Sequence, residues 1–406
     1  MIRLLHTADW HLGAALHGWS REYEHRAALA GMIDIARTRQ VDAVIVAGDI
    51  FDSLNPPAEA QRLLYETLRN LRAACPHAAI VLLAGNHDPA GRLEAPRALF
   101  EMAGVVSIGS VVRADGGFDA RAHLVPVRTP AGAVGAYILA LPYPRAADLP
   151  LAHAEITGSP VVWGVRTLYH EAVAAARREI GAAPLILTGH LHVAGGLESE
   201  GAERRILIGG EHAAPTDIFP ADAAYVALGH LHRPQTLGGG AIRYSGALIP
   251  MSKSEIDYQH GVSIVEIDDT GGARIEHAPL IRAVAHWRLP SRGALTTAEI
   301  PPALEALCAG RAFDEATRPF LHLTVRADGP ATGLKAEVDE ICAAFPLRLV
   351  SLAIERSRAD LPPLVTPARL ADRAPVELFA EAFAHTHGVA PAEAHLLGFE
   401  SLLRDL

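Results

Sequence analysis

Ile2-Arg3-Leu4-Leu5-His6-Thr7-Ala8-Asp9-Trp10-His11-Leu12-Gly13 carries a short apolar run straight into an Asp-x-His pair. In an extended segment such a pair puts a carboxylate and an imidazole on one side of the backbone, because side chains alternate there. A single pair of this kind is more often a turn Asp beside an exposed His. The pattern, however, comes back four times. Val44 to Ala47 leads into Gly48-Asp49, and Ile80 to Ala84 into Gly85-Asn86-His87-Asp88. Leu185 to Thr188 leads into Gly189-His190, and Tyr225 to Leu228 into Gly229-His230-Leu231-His232. Continuous apolar runs of this length predict strands buried on both faces. The glycine lets the chain turn where a Cβ would obstruct it. Side chains able to bind metal are thereby expected to gather at one sheet edge, where loops converge.

The elements between these loops alternate with them. Ser20 reads as an N-cap, with Glu22 and Glu24 in the first turn of a helix whose core face is Leu29, Met32, Ile33 and Ala36. Asn55-Pro56-Pro57 opens a second helix with Leu64, Leu68 and Leu71 as its stripe. The order β-α-β-α-β implies a parallel sheet flanked by helices. From 105 to 160, runs at Val105–Ile108, Ala122–Val127 and Ala136–Leu141 are broken by Gly and Pro and suggest a second sheet. A helix is expected over 163–180, and strands over 184–188, 204–209, 224–229, 241–245, 262–267 and 273–277. Past 283 the ligand-bearing loops stop. Residues 283–357 read as strand, helix, strand, helix, strand, a small α+β unit. Pro362, Pro363 and Pro367 mark a linker, and 375–406 reads as two short helices that either pack on the body or form an adhesive tail. The expected domains are therefore 1–282, 283–360 and 361–406.

Composition bounds the function. The chain has 406 residues, half of them hydrophobic, enough for more than one domain. No apolar stretch reaches the roughly 18 residues of a membrane span, and the first residues lack a signal-peptide layout. Cys75, Cys308 and Cys342 have no zinc-knuckle spacing and suit buried thiols in a reducing compartment, so the expected location is cytoplasmic. A net charge of −10 gives no overall basic field for nucleic acid. Bound divalent ions would add the local positive charge that this count omits.

Collected in order, the candidate ligands are Asp9, His11, Asp49, Asn86, His190, His230 and His232. Oxygen and nitrogen donors without a thiolate suit Mn²⁺, Fe²⁺ or Zn²⁺. Seven donors exceed what one ion needs and suit two ions sharing a carboxylate, for which Asp49 is the natural bridge. Neutral Asn86 limits the negative charge and keeps the ions electrophilic. Such a pair activates water for in-line attack on phosphorus. His87 then protonates the leaving oxygen or orients the phosphate. Asp88 is expected to hold a histidine ring nitrogen, and His192 to lie behind the ligands or touch substrate. His6, His17, His25, His170, His212 and His260 lack the strand-end context.

These motifs together resemble the calcineurin-like metallophosphoesterase superfamily: Asp-x-His, Gly-Asp, Gly-Asn-His-Asp, Gly-His and Gly-His-x-His. Within it the chain is similar to the SbcD family of bacterial DNA repair nucleases. That likeness is carried by His6–Gly13, Ser20-Arg21-Glu22, Gly48-Asp49-Ile50-Phe51-Asp52, Ala227–Arg233 and Tyr244–Ser252. It covers roughly residues 1–285, and beyond them only the domain order corresponds. The resemblance implies an α/β fold, a four-layer αββα sandwich with a smaller α+β capping domain and a C-terminal helical segment that binds an SbcC-type ATPase. It further implies a homodimer with Mn²⁺-dependent 3′→5′ double-strand exonuclease and single-strand or hairpin endonuclease activity. Asp9, His11 and His232 with Asp49 would hold one ion, and Asn86, His190 and His230 with Asp49 the other, with His87 catalytic. Archaeal and eukaryotic relatives carry a second histidine three residues after the bridging Asp, where this chain has Asp52. Arg233 and Asp52 join His192 and Asp88 as candidates for substrate or supporting contacts. Two other functions fit the residues: a metallophosphoesterase for a small phosphodiester or phosphoprotein, and a non-catalytic scaffold of the same fold. The segments past 283 favour a large substrate, and the complete ligand set speaks against the scaffold.

Overall fold

The apolar runs are hydrophobic at every position because both of their faces are covered. The computed structural model describes all residues except 115, 151–157, 200–212, 328–332, 357–374, 388 and 405–406. The body is built on twelve strands: β1 (Ile2–Thr7), β2 (Ala43–Val46), β3 (Ala79–Leu83), β4 (Val105–Ile108), β5 (Leu124–Arg128), β6 (Val134–Leu139), β7 (Leu185–His190), β8 (Tyr225–Gly229), β9 (Gln235–Leu237), β10 (Ile242–Tyr244), β11 (Gly261–Ile267) and β12 (Ala273–Pro279). They form two six-stranded sheets, in the orders β12-β11-β1-β2-β3-β4 and β9-β10-β8-β7-β6-β5. Strands β1 to β4 are mutually parallel, as are β6, β7, β8 and β10, and the other pairings are antiparallel.

Alternation along each strand then sorts the side chains into layers. Leu5, Val44, Val46, Ile80 and Leu82 face outward and pack with Leu29, Met32, Leu64 and Leu68 of α1 (Glu22–Arg39) and α2 (Ala58–Ala74). Their neighbours Leu4, Ile45, Val81 and Leu83 face inward and meet Ile138, Ile186, Tyr225 and Ala227 of the second sheet. The outer face of that sheet, Leu139, Leu185, Leu187, Val226 and Leu228, packs with Val165, Leu168, Tyr169 and Ala172 of α3 (Pro160–Ile180). The result is helix, sheet, sheet, helix. Each of the three interfaces is a closed hydrophobic cluster.

Three details depart from the sequence reading. Val105–Ile108 joins the edge of the first sheet, parallel to β3, rather than the second. The connecting helix leaves no continuous stripe in the sequence because Pro96 splits it into Ala90–Glu94 and Arg97–Met102. Ala122–Val127 is half helical turn: Asp119 caps Ala120–His123, and the strand starts only at Leu124. Arg21, not Ser20, precedes the first turn of α1, and Glu24 is a buried ion-pair partner of Arg21 rather than a solvated first-turn acid. The strand expected at 204–209 lies outside the described residues.

Beyond the body, β13 (His286–Leu289), β14 (Phe320–Ala327) and β15 (Arg348–Arg356) form a separate parallel sheet. With α4 (Ile300–Cys308) and α5 (Leu334–Ala343) it closes its own core of Leu304, Leu321, Leu323, Val325, Val338 and Cys342. The joint with the body is polar and buried. Arg21 donates to both oxygens of Glu24 and to the Pro250 carbonyl, and His286 Nε2 lies 3.2 Å from Glu24 Oε1. The Arg21 and Arg348 guanidinium groups lie 5.9 and 4.1 Å from the Phe320 ring centre. Helices α6 (Pro375–His387) and α7 (Glu393–Arg404) contact each other through Phe379 and Phe399, stacked with ring centres 4.4 Å apart. No helix among the described residues is long and apolar enough to cross a membrane.

Candidate metal centre

All seven candidate ligands lie at the carboxyl ends of β1, β2, β3, β7 and β8, where parallel strands of both sheets open toward one another. Asp9 and His11 do not reach the site by extended alternation. They follow the end of β1 with φ of 52° and 47°, and Asp49 and His230 have φ of 48° and 102°. Asp and His tolerate the left-handed region better than most residues, yet each such position costs of order 1–2 kcal/mol. Four such residues in one site mark backbone held against its own preference by the surrounding structure. Gly48 makes a true left-handed turn at φ 91°, and both it and Gly85 permit close approach: a Cβ at Gly48 would strike the His190 ring and one at Gly85 the Asp49 carboxylate.

The side chains form three clusters, two of which share His11. One ligand atom each from Asp9, His11 and His232 lies within 4.8 Å of the others, and the same holds for Asp49, His190 and His230 and for His11, Asp52 and His87. Asn86 Oδ1 is 2.9 Å from His190 Nε2 and 3.2 Å from His230 Nδ1. His11 Nε2 faces His232 Nε2 at 3.2 Å. Asp49 Oδ2 stands 3.3 Å from His190 Nε2 and 3.8 Å from His11 Nε2, so one carboxylate edge reaches both histidine groups. Its Oδ1 accepts the His87 N–H at 2.8 Å. Asp9 accepts the His230 N–H, which ties the loop after β1 to the loop after β8.

The donor set fits divalent cations. His190 Nδ1 donates to the Ala47 carbonyl at 2.8 Å, so the neutral ring presents a lone pair at Nε2, facing the Asn86 and Asp49 oxygens. Acceptor against acceptor is unfavourable without a shared positive charge. The same conflict appears in the proton affinities. Burial alone would push His190 down, but Asp49 and Asp9 hold it up to about 9. Burial opposes the Asp49 charge as well, yet His190, His11 and His87 keep its carboxyl well below the usual range. Burial raises Asp9 and pushes His230 well down. The pocket thus demands cationic charge that its own side chains supply only by protonating a ligand nitrogen.

Supporting residues fall differently from the sequence reading. Asp88 holds no histidine. Its two oxygens accept the N–H groups of Ile50, Phe51 and Gly85, clamping the loop after β2 to the loop after β3. Burial first, then Asp49, raises its carboxyl to about 6. The histidine partner is instead Glu255, fully buried, whose Oε1 lies 2.9 Å from His232 Nδ1 while Oε2 accepts the Met251 N–H at 2.8 Å. No sequence pattern singles out this acid; only its place just past the Tyr244–Ser252 stretch hinted at it. His87 Nδ1 donates to the Asp52 carbonyl at 2.7 Å, and its ring stands edge-on to His11 with centres 4.9 Å apart. The Asp52 carboxylate is 3.4 Å from His11 Nδ1. His192 sits beside the centre, half-buried and 3.4 Å from Glu198, and the exposed Arg233 lies over the Tyr258 ring.

Comparison with known proteins bears on this centre. Residues 2–234 match the calcineurin-like phosphoesterase family. Residues 282–387 match a family described as the type 5 capsule protein repressor C-terminal domain. The chain is 51% identical over 385 residues to SbcD of the SbcCD nuclease from Rhodobacter capsulatus, covering 94% of each. The SbcD proteins of Bacillus subtilis and Escherichia coli K12 are each 36% identical over 65% of this chain, and over 66% and 64% of their own lengths.

Proposed function

The chain belongs to the calcineurin-like phosphoesterase family and, within it, to the SbcD family of SbcCD nuclease components, and on that premise we propose that it is a metal-dependent DNA phosphodiesterase. In this reading it acts as a 3′→5′ double-strand exonuclease and single-strand or hairpin endonuclease in DNA repair, recombination and replication. Its partner is an SbcC-type ATPase, it works as a homodimer in the cytoplasm at the nucleoid, and Mn²⁺ is its metal. Residues 1–282 are the nuclease domain, 283–360 a capping domain, and the helices within 361–406 the ATPase-binding segment.

One observation carries the reading: the Asp49 carboxylate lies between His190 and His11, with the remaining donors split on either side. Asp9, His11 and His232 would hold one ion, Asn86, His190 and His230 the other, and Asp49 both. Two divalent cations so held would supply Lewis acidity toward water and toward the phosphate oxygens. The protein supplies the rest. Asp88 fixes the two loops that carry Asp49 and Asn86, so the donors need not reorganise during reaction. His87 is the proton carrier: with Nδ1 committed to the Asp52 carbonyl, Nε2 is the nitrogen that exchanges a proton at the leaving oxygen. Asp52 therefore acts through its main chain on His87 and through its carboxylate on His11, and need not replace a second histidine as an acid.

The test is hydrolysis of blunt and hairpin DNA with Mn²⁺, with and without the cognate ATPase and ATP, against cyclic nucleotides and phosphopeptides. DNA cleavage stimulated by the ATPase is expected, and removal of 368–406 should abolish that stimulation while sparing basal cleavage. Preference for cyclic nucleotides or phosphopeptides overturns the reading.

A further inference from the structure

A cavity of about 330 Å³ opens beside the metal centre, lined among others by Tyr143, Arg145, Leu149, Val162, Leu191 and His192. We propose that it is a nucleobase subsite, which receives the base of the terminal nucleotide whose phosphate is cut. This deepens, and rests on, the DNA phosphodiesterase reading above.

Continuity with the centre comes first. Leu191 and His192 follow the ligand His190 directly. The Tyr143 ring stands edge-on to the His190 ring, with centres 6.3 Å apart. Arg145 Nη2 donates to the Asp88 carbonyl at 2.8 Å, at the end of the loop that carries Asn86 and His87. The walls of the cavity thus share backbone with the loops that carry the metal ligands, which places the two sites side by side.

The lining chemistry selects the occupant. Leu149, Val162, Val165 and Leu191 give an aliphatic floor, and Tyr143, Arg145 and His192 form the polar and aromatic side. Unpaired bases are recognised by this combination: stacking on aromatic rings and guanidinium planes, with hydrogen bonds to the base edge. The Arg145 guanidinium already lies 5.7 Å from the Tyr143 ring centre. Its Nη2 is held by the Asp88 carbonyl, which fixes the guanidinium plane against the cavity side of the loop after β3. The volume falls at the low end of small-molecule sites, roughly 300–1,000 Å³, so it admits one nucleoside-sized group and not a duplex. His192, second of the Gly-His-Leu-His run, thereby becomes a substrate contact instead of a ligand.

The experiment compares two DNA duplexes that differ only at the strand terminus, one ending in an ordinary nucleotide and one in an abasic residue. The wild-type protein with Mn²⁺ should excise the ordinary terminus at least tenfold more efficiently, in kcat/KM, than the abasic one. Val162→Trp, which fills the floor, and Tyr143→Ala, which removes the ring, should each collapse that ratio toward one. Calorimetric binding of deoxyadenosine monophosphate should weaken in both variants relative to binding of inorganic phosphate. A wild-type ratio near one, or a ratio that both variants leave intact, overturns the subsite. Wild-type protein that hydrolyses bis(p-nitrophenyl) phosphate but cuts neither duplex overturns the DNA reading instead.

Discussion

Replacing Glu255 by Gln changes almost no volume and should still cripple one side of the metal centre. The carboxylate does two jobs: Oε1 accepts a hydrogen bond from His232 Nδ1 at 2.9 Å, and Oε2 accepts the Met251 N–H at 2.8 Å. Burial works against its charge, but His232 nevertheless keeps it below the ordinary range, so it is an acceptor on both sides. An amide offers an acceptor oxygen at one end and only donor N–H groups at the other. If its oxygen faces Met251, its NH₂ faces His232 Nδ1 and forces the ring proton onto Nε2. That nitrogen is the one facing His11 at 3.2 Å, and a protonated nitrogen cannot bind a cation. If the amide turns over, NH₂ meets the Met251 N–H and a buried donor is stranded. Partners of this kind are typically worth 10- to 100-fold in metal affinity, about 1.4–2.8 kcal/mol.

The assay is calorimetric titration of metal-free protein with Mn²⁺, fitted to two sites. Glu255→Gln should weaken one site by 10- to 100-fold and leave the other nearly unchanged, because Glu255 touches His232 and none of Asn86, His190 or His230. Glu255→Ala separates tautomer from packing. It leaves a space where water can accept the Nδ1 proton, so it should bind Mn²⁺ better than Gln while unfolding at lower denaturant. Equal loss at both sites, or Ala binding worse than Gln, would refute the tautomer argument.

Three further outcomes follow from the same geometry. His87→Ala should keep both metal sites and lose about 10²- to 10⁴-fold in hydrolysis, as expected for a lost general acid; an active variant removes His87 from proton transfer. On the proposed two-ion reading, Asp49→Asn should weaken binding of both ions together, since its carboxylate reaches both histidine groups; loss of one ion alone refutes the bridge. Glu24 bears on pH: burial opposes its charge, but His286 and Arg21 hold it at about 2 against an ordinary 4.5. A depressed acid adds stability above 4.5 that disappears as pH falls toward 2, here about 3 kcal/mol at most. Denaturant unfolding followed across that window should show a pH slope that Glu24→Gln flattens, and an unchanged slope refutes the assignment.

The sequence disclosed the site better than the sheets. Each ligand announces itself by a local signal, an apolar run ending in Gly and a donor, so no knowledge of pairing was needed to collect them. Which sheet a strand joins is not local. Val105–Ile108 resembles the runs after it, and only the broken crossover helix before it commits it to β3. Likewise β11 pairs with β1 across the whole body, Ile2 opposite Ile267, a choice decided by the open edge of β1. Glu255, Arg21 and Glu24 were illegible for a second reason: an acid or base in a polar segment reads as solvated until tertiary packing buries it. Their burial is visible only once the Pro250–Met251 turn meets α1 and the loop after β8.

This placement explains why the centre needs both sheets. Asp9 and His11 from the first sheet meet His232 from the second, and Asn86 from the first meets His190 and His230 from the second. Neither sheet alone brings together either group of donors. The two edges are tied to each other by protein groups: His190 Nδ1 on the Ala47 carbonyl, His6 between Tyr225 and the Leu228 carbonyl, and Asp9 on the His230 N–H. A Cβ at Gly229 would collide with the Ala47 carbonyl, so that glycine sets how closely the sheets approach. The left-handed Asp9, His11, Asp49 and His230 store the strain of that approach at the point of use. Hydrogen bonds between protein groups thus set the spacing of the loops that carry the donors.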